Sequence, residues 1–287
     1  VVHFYSAMPV HFYSALDTYR AIIVDEAQDM SVQAYQLISQ MVHKKVQKSN
    51  IFVVGDAHQR IYRHKVVLGR CGIDIRGRGR KLRINYRTTE ENRKWAVSLL
   101  EGIRFDDLDG GEDNQSGYKS LLRGIKPNVR QFESFQKEIE YIVKYLKQIK
   151  DSKELLSGTC IVVRTNSLMK QYEVAIKENK IKTYFVKRSE AEDTKAEGVR
   201  LATMHRVKGL EFDCIIIAGV NEGVVPSEKT GFRKSTDPVI KRETETHERA
   251  LLYVAATRAK KNVLVTSFGK TSRFLTVYEK PRVKEIS

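Results

Sequence analysis

Residues 21–29 read Ala21-Ile22-Ile23-Val24-Asp25-Glu26-Ala27-Gln28-Asp29, a short apolar run that passes directly into acids. In an open α/β sheet, ligands bind beyond the carboxyl ends of the strands, so groups placed there belong to a site before they belong to a core. Two adjacent carboxylates next to buried chain repel one another unless a cation lies between them. Asp25 and Glu26 therefore suggest Mg²⁺ and a positioned water. The same acids also suit the first turn of a helix, where negative charge is favoured.

Outward from this stretch, short apolar runs alternate with segments of helical period. Ile22 to Val24 reads as a strand. Ser31 is placed to cap a helix carrying Val32, Tyr35, Ile38 and Met41, and Ile51 to Val54 forms the next strand. Phe135, Ile139, Ile142, Val143, Leu146 and Ile149 share one helical face ahead of a strand from Thr159 to Val163. A helix beginning near Asn166 leads to a strand at Thr183 to Val186. Strands at Val199 to Thr203, Cys214 to Ala218 and Val263 to Thr266 follow, with a helix from about Glu243 to Arg258 between the last two. This alternation predicts an α/β fold with mainly parallel sheets covered on both faces.

Composition narrows the class. The 287 residues carry 51 Lys+Arg against 35 Asp+Glu, a net charge of +16 that favours a polyanionic partner. Between Arg60 and Lys94 there are 12 basic and 3 acidic residues, the densest basic stretch and the expected phosphate-contacting surface. Cys71, Cys160 and Cys214 have no CxxC spacing and read as reduced, buried thiols with no zinc site. No apolar run approaches the ~20 residues of a membrane span, so a cytoplasmic location without membrane contact is expected. Residues 104 to 120 and 187 to 198 are polar interruptions, and the repeated VHFYSA at 2–7 and 10–15 is too short for a solenoid unit.

Four further stretches join the first: GDAHQRIY at 55–62, LRINYRTT at 82–89, TMHRVKGLEFD at 203–213 and ERALLYVAATRAK at 248–260. Together with DEAQD they resemble, in order, motifs II to VI of the UvrD/Rep-like superfamily 1 DNA helicases. The resemblance implies RecA-like P-loop NTPase-type sheets, with residues 1–78 the remnant of a first RecA-like domain and 79–287 a second. It also implies ATP and Mg²⁺ as cofactors and single-stranded or partly duplex DNA as partner. Asp25 would hold the metal and Glu26 would deprotonate the attacking water. Gln59 would sense the γ-phosphate, and Arg87 and Arg258 would neutralise the transferred phosphoryl group, a role suited to planar, permanently charged donors. Tyr86 would stack on adenine, with Gly209 and Glu211 also at the nucleotide. Thr203, His205 and Lys208 would couple nucleotide to DNA. Tyr62 matches a base-stacking position. His64 and Lys65 stand where relatives commonly have Trp and Arg, which implies weaker stacking and a looser phosphate contact.

One expected part is absent from the sequence. The cradle G-x-x-x-x-G-K-[ST] would hold the β and γ phosphates on backbone amides. Gly269-Lys270-Thr271 fails as a match because Leu264 occupies the first glycine position, and GVVPSEKT (223–230) has no glycine before Lys229. The expectation is a carboxyl-terminal portion of a 3′ to 5′ helicase or translocase. Its partner would be the amino-terminal part of the same protein, and the chain alone would be inactive. The accessory domain that relatives often insert before TxHxxKGLEF would be reduced to residues 187–198. A catalytically silent nucleic-acid-binding or regulatory module is the alternative, and an RNA-directed enzyme of the same kind has the same motifs.

Overall fold

A computed structural model of the chain describes residues 19–42, 50–61, 66–103, 105–106, 111–113, 117–186, 196–228 and 237–275. The strands in chain order are β1 (Ile22–Val24), β2 (Ile51–Val53), β3 (Ile84–Thr89), β4 (Phe105–Asp106), β5 (Glu112–Asp113), β6 (Lys119–Leu122), β7 (Asn128–Phe132), β8 (Thr159–Val163), β9 (Thr183–Phe185), β10 (Val199–Thr203), β11 (Phe212–Ile217) and β12 (Ala259–Phe268). The helices are α1 (Val32–Met41), α2 (Glu90–Ser98), α3 (Phe135–Asp151), α4 (Asn166–Glu178) and α5 (Pro238–Ala256). The helix starts are chemically marked. Ser31, Thr89, Ser134, Thr165 and Asp237 each accept a backbone N–H from the first turn of the helix they precede.

By packing, the chain divides into a first unit of residues 1–57, 64–79 and 106–111 and a second of 58–63, 80–105 and 112–287. In the first unit β1 and β2 pair in parallel. Val24, Ala27, Tyr35, Ile38, Val66, Leu68, Cys71 and Ile73 form its core, and the Tyr35 hydroxyl donates to the Ala27 carbonyl at 2.6 Å. Segment 58–63, which carries Gln59, packs with the second unit although it follows β2 in sequence.

The second unit is built on a six-stranded sheet of order β7-β12-β11-β8-β10-β9 in which every neighbouring pair is parallel. Alternate residues of the central strands face opposite sides. Ile161, Val163, Leu201, Cys214, Ile216 and Leu264 pack under α3 and α4 with Ile139, Ile142, Leu146 and Tyr172. Their neighbours Val162, Ala202, Ile215, Ile217 and Val265 are equally buried on the opposite face, where α5 packs against β11 and β12. All three cysteines are free and buried, as expected.

Several boundaries differ from the sequence reading. β12 runs over ten residues rather than 263–266, because its first residues, Ala259 and Asn262, pair with β11 and its last, Ser267 and Phe268, with the edge strand β7. β11 occupies 212–217 in place of 214–218, and α5 begins at Pro238, five residues before the expected start, on the Asp237 cap. Among the described residues no helix is long and apolar enough to cross a membrane.

Two buried polar clusters tie helices to strand ends. Glu138 of α3, fully buried, accepts from the Tyr172 hydroxyl and, at 3.1 Å, from the Gly219 N–H just after β11. Burial raises its carboxyl above the usual range against the lowering effect of these bonds. Glu248 of α5 is gripped by Arg164, at the end of β8, through bonds of 2.6 and 2.9 Å, and it also accepts from the Ser227 N–H at 3.1 Å. Burial pushes the Glu248 carboxyl up, but the Arg164 bonds and the Ser227 N–H outweigh it and bring it to about 2.

Two outcomes follow for stability. Gly219 lies at φ 65°, and a Cβ there would come within 2.9 Å of Leu168 Cδ2. Gly219→Ala is expected to cost about 1–3 kcal/mol in urea unfolding, and an unchanged midpoint would contradict the packing. Because its folded value lies below its ordinary 4.5, Glu248 contributes stability that is complete above pH 4.5 and is lost as pH falls toward 2. Glu248→Gln is expected to cost about 3–5 kcal/mol near neutrality by stranding Arg164, and to flatten the loss of stability in that acid window. Parallel acid profiles for the two proteins would exclude the assignment.

Candidate functional site

The acids that end β1 lie on a short, constrained turn. Val54 N–H donates to Val24 O at 2.8 Å and Ala27 N–H to Val54 O at 3.0 Å, so the turns after β1 and β2 are stitched together. Glu26 has φ 51°, a left-handed conformation disfavoured for a side-chain-bearing residue by roughly 1–2 kcal/mol. It turns the chain immediately after the strand. Asp25 and Glu26 are exposed, and Asp25 Oδ1 accepts the Glu26 N–H at 2.8 Å.

Gln28, a residue the sequence reading passed over, organises this turn from beneath. It is buried, its Nε2 donates to Glu26 Oε2 at 2.6 Å, and its Oε1 accepts the Asp56 N–H at 3.0 Å. A Cβ on Gly55 would lie 2.8 Å from that same Oε1, so a glycine is needed for the two turns to approach. One amide thus holds the acidic turn against the Gly55-Asp56 turn. Only the glutamine at the fourth position of DEAQD signalled it.

The carboxylates suit a hard cation. Mg²⁺ in phosphate-handling sites typically uses one or two protein carboxylates and completes its shell with water and phosphate oxygens. Among the described residues no cluster of three or more His, Cys, Asp or Glu could hold a metal without such outside oxygens. Exposed Asp25 on this turn fits that sparse arrangement.

In the second unit, residues from three separated stretches converge. Arg258, 2% exposed, follows α5; its Nη2 donates to Gln59 Oε1 at 2.7 Å and its Nε to Val254 O at 3.2 Å. Lys208 Nζ donates to the Gln59 carbonyl at 2.9 Å. Gln59 is therefore held by both its backbone and its side chain. Thr203 ends β10, and its carbonyl accepts the N–H groups of Arg206 and Val207, the tight turn that delivers His205 and Lys208. His205 is half-buried, and burial, with Arg164 and His247 adding, pushes its imidazole down to about 4. It is neutral at physiological pH.

A second cluster surrounds Glu211. Arg87 Nε donates to Glu211 Oε1 at 2.6 Å, and Lys260 Nζ lies 3.4 Å from Glu211 Oε2. Asn85, another residue not singled out beforehand, accepts the N–H groups of Arg87 and Thr88 at 2.7 and 3.3 Å. That bond bends β3 and presents Tyr86, which is 70% exposed. Gly209 takes φ 79°, and a Cβ there would meet nothing within 4 Å, so its backbone conformation rather than crowding favours glycine. Arg258 and Arg87 thus stand in different clusters of this unit, and Asp25 and Glu26 stand on the first unit. Tyr62, His64 and Lys65 lie outside the described residues.

Two family descriptions match the sequence. The family described as UvrD-like helicase C-terminal domain matches residues 80–190 and 185–270, and UvrD/REP helicase N-terminal domain matches residues 10–66. The ATP-dependent DNA helicase srs2 of Schizosaccharomyces pombe is 30% identical over 55% of this chain and 18% of its own length. The ATP-dependent DNA helicase Rep of Buchnera aphidicola subsp. Schizaphis graminum is 31% identical over 40% of this chain and 15% of its own. The putative ATP-dependent DNA helicase YjcD of Bacillus subtilis is 38% identical over 30% of this chain and 12% of its own. The matched region thus spans less than a fifth of each of these relatives. With the C-terminal domain matches covering well over half of the 287 residues, the chain belongs to the UvrD-like helicase family.

Proposed function

We propose that this chain forms the motif II to VI part of an ATP-dependent DNA helicase or translocase that moves 3′ to 5′ along single-stranded DNA. ATP hydrolysis would use both RecA-like domains. The observation that carries the reading is the convergence on Gln59: a cation from TMHRVKGLEF and a guanidinium from YVAATRA hold a residue from GDAHQRIY, three stretches separated by up to 199 positions. Chance placement of surface residues does not aim two cationic side chains at one glutamine.

In this reading Asp25 holds Mg²⁺, which when bound neutralises phosphate charge and orders water. Glu26 accepts the proton of the attacking water, with its carboxylate oriented by Gln28. Gln59 contacts the terminal phosphate and, on doing so, exchanges its bond from Arg258. Arg258 and Arg87 donate to phosphate oxygens, Arg87 leaving Glu211, a partly exposed pair of small net worth. Tyr86 supplies a stacking face for adenine, with Gly209 and Glu211 beside the nucleotide. Thr203, His205 and Lys208 relay the state of Gln59 to the DNA side, where Tyr62, His64 and Lys65 contact bases and phosphates. The phosphate cradle is assigned to a part of the same protein outside these 287 residues. A silent binding module is the second reading, favoured by the net charge of +16 and the unmatched cradle motif.

In the full-length protein, Glu26→Gln is expected to lower the DNA-stimulated ATPase rate by about 10²–10⁴-fold, the usual worth of a general base. An unchanged rate would rule out the assigned chemistry, and no DNA-stimulated hydrolysis in the unaltered protein would favour the module. The 287-residue chain alone is expected to bind ATP no tighter than millimolar, because amides and lysine of the cradle supply much of the affinity. Micromolar binding in calorimetry would place the cradle within this chain. Stimulation by single-stranded RNA equal to that by DNA would reject the DNA assignment.

A further inference from the structure

The segment from His58 to Ile61 joins the proposed phosphate sensor, Gln59, to the proposed base-stacking residue, Tyr62. It has no strand or α-helix of its own and is fixed by side chains from elsewhere. Lys208 and Arg258 hold Gln59. A third contact involves a residue outside every role assigned above: His247 Nε2 lies 2.6 Å from the Ile61 carbonyl oxygen. A carbonyl only accepts, so Nε2 carries the proton in this contact.

His247 is on a rigid platform. It precedes Glu248, whose carboxylate is fully buried and held by Arg164 and the Ser227 N–H, so α5 is anchored to the end of β8 at this point. The His247 ring also lies beside His205, with centroids 5.8 Å apart. Its Nδ1 is buried without a hydrogen-bond partner, 3.8 Å from Glu248 Oε1, a separation too long for a hydrogen bond. A partly buried imidazole, 16% exposed, that leaves its buried Nδ1 unsatisfied while Nε2 donates to a backbone carbonyl is poorly explained as packing, because an apolar side chain would avoid the cost. On the Ile61 side the fit is close: the Ile61 side chain is 1% exposed, so its main chain has little room to shift.

We propose that His247 is a positioning residue that fixes the main chain between the phosphate-sensing Gln59 and the DNA-facing Tyr62. The platform Arg164–Glu248–His247 then sets the approach of segment 58–61 and transmits the state of Gln59 toward the strand contact. This deepens the helicase reading and rests on it for the roles of Gln59 and Tyr62, while the contact with Ile61 stands independently.

The test uses the 287-residue chain. His247→Phe keeps the ring volume and removes the donor; His247→Gln keeps a donor at similar reach. Amide exchange is followed in peptides covering residues 57–63, affinity is read by anisotropy with a labelled oligothymidylate, and Tyr62→Ala is the comparator. Loss of one hydrogen bond corresponds to about a tenfold change. His247→Phe is therefore expected to speed exchange about tenfold in this segment alone and to weaken oligothymidylate binding by about five- to tenfold. His247→Gln should stay within about threefold of the original in both. Exchange unchanged in His247→Phe, or His247→Gln as impaired as His247→Phe, overturns the proposal. So does faster exchange with unchanged affinity when Tyr62→Ala does weaken binding. If Tyr62→Ala leaves affinity unchanged, the DNA role of Tyr62 fails and the exchange comparison alone decides for or against His247 as the holder of the segment. Should His247→Phe not fold, ring-nitrogen NMR of the unaltered chain decides: an Nε2-protonated tautomer at His247 supports the proposal, and an Nδ1-protonated one overturns it.

Discussion

A parallel sheet buried on both faces leaves its strands no solvent side, and this constraint governs the second unit. Nearly every interior position of β8, β10 and β11 is spent on packing, Arg200 and Asp213 being the charged exceptions, and with all neighbours parallel the backbone hydrogen bonds are satisfied within the sheet. Polar chemistry is therefore displaced to the strand ends. Thr203 closes β10 and begins the turn to His205 and Lys208; Arg164 closes β8; Arg258 precedes β12 at the turn out of α5. Lys208 and Arg258, which converge on Gln59, are far apart in sequence and near in space because the sheet gives them nowhere else to go.

The same constraint explains why much of the fold was legible in the sequence. TCIVV and DCIIIA are continuous apolar runs with no alternation, which is how doubly covered strands read, and Ser31, Ser134 and Thr165 mark helix starts by side-chain chemistry alone. What escaped were elements whose residues lack such a pattern. β3 is polar and half-exposed because it pairs only with β6, and β7 is an edge strand with charged and amide side chains. The outer residues of β12 are strand because its start pairs with β11 and its end with β7, a long-range fact no local window contains.

The site divides in the same way. Asp25, Gln59, Arg258 and Lys208 were singled out by residue type and motif order, and of these Arg258 and Lys208 are found donating to Gln59. Gln28, Asn85 and His247 were not, because each acts by hydrogen-bonding to main chain or to a neighbouring side chain, and the value of such a bond depends on where the acceptor lies after folding. An amide or imidazole in a sequence has many uses; only the carbonyl or N–H opposite it selects one. Segment 58–61 is a further example, since it follows β2 yet packs with the second unit through contacts to residues about 150 to 200 positions away.

The electrostatics of the two arginines differ in a way that bears on their use. Arg87 is half-exposed and its partner Glu211 is shared with Lys260, so water and salt screen the pair and a competing anion can displace the carboxylate at small cost. Arg258 is buried, and its acceptors include the neutral Gln59 amide oxygen, the Val254 carbonyl and the Thr257 hydroxyl. Neutral acceptors orient a guanidinium without cancelling its charge, so its field persists at the Gln59 end of the cluster. An anion arriving there meets a positive group already held in place, and the preorganisation that lowers the cost of stabilising developing charge is present before it binds. Arg87 needs an exchange of partners to act, whereas Arg258 needs only to release one amide. In the proposed mechanism the position of Gln59, and hence of the segment that carries it, decides when the buried cation becomes available.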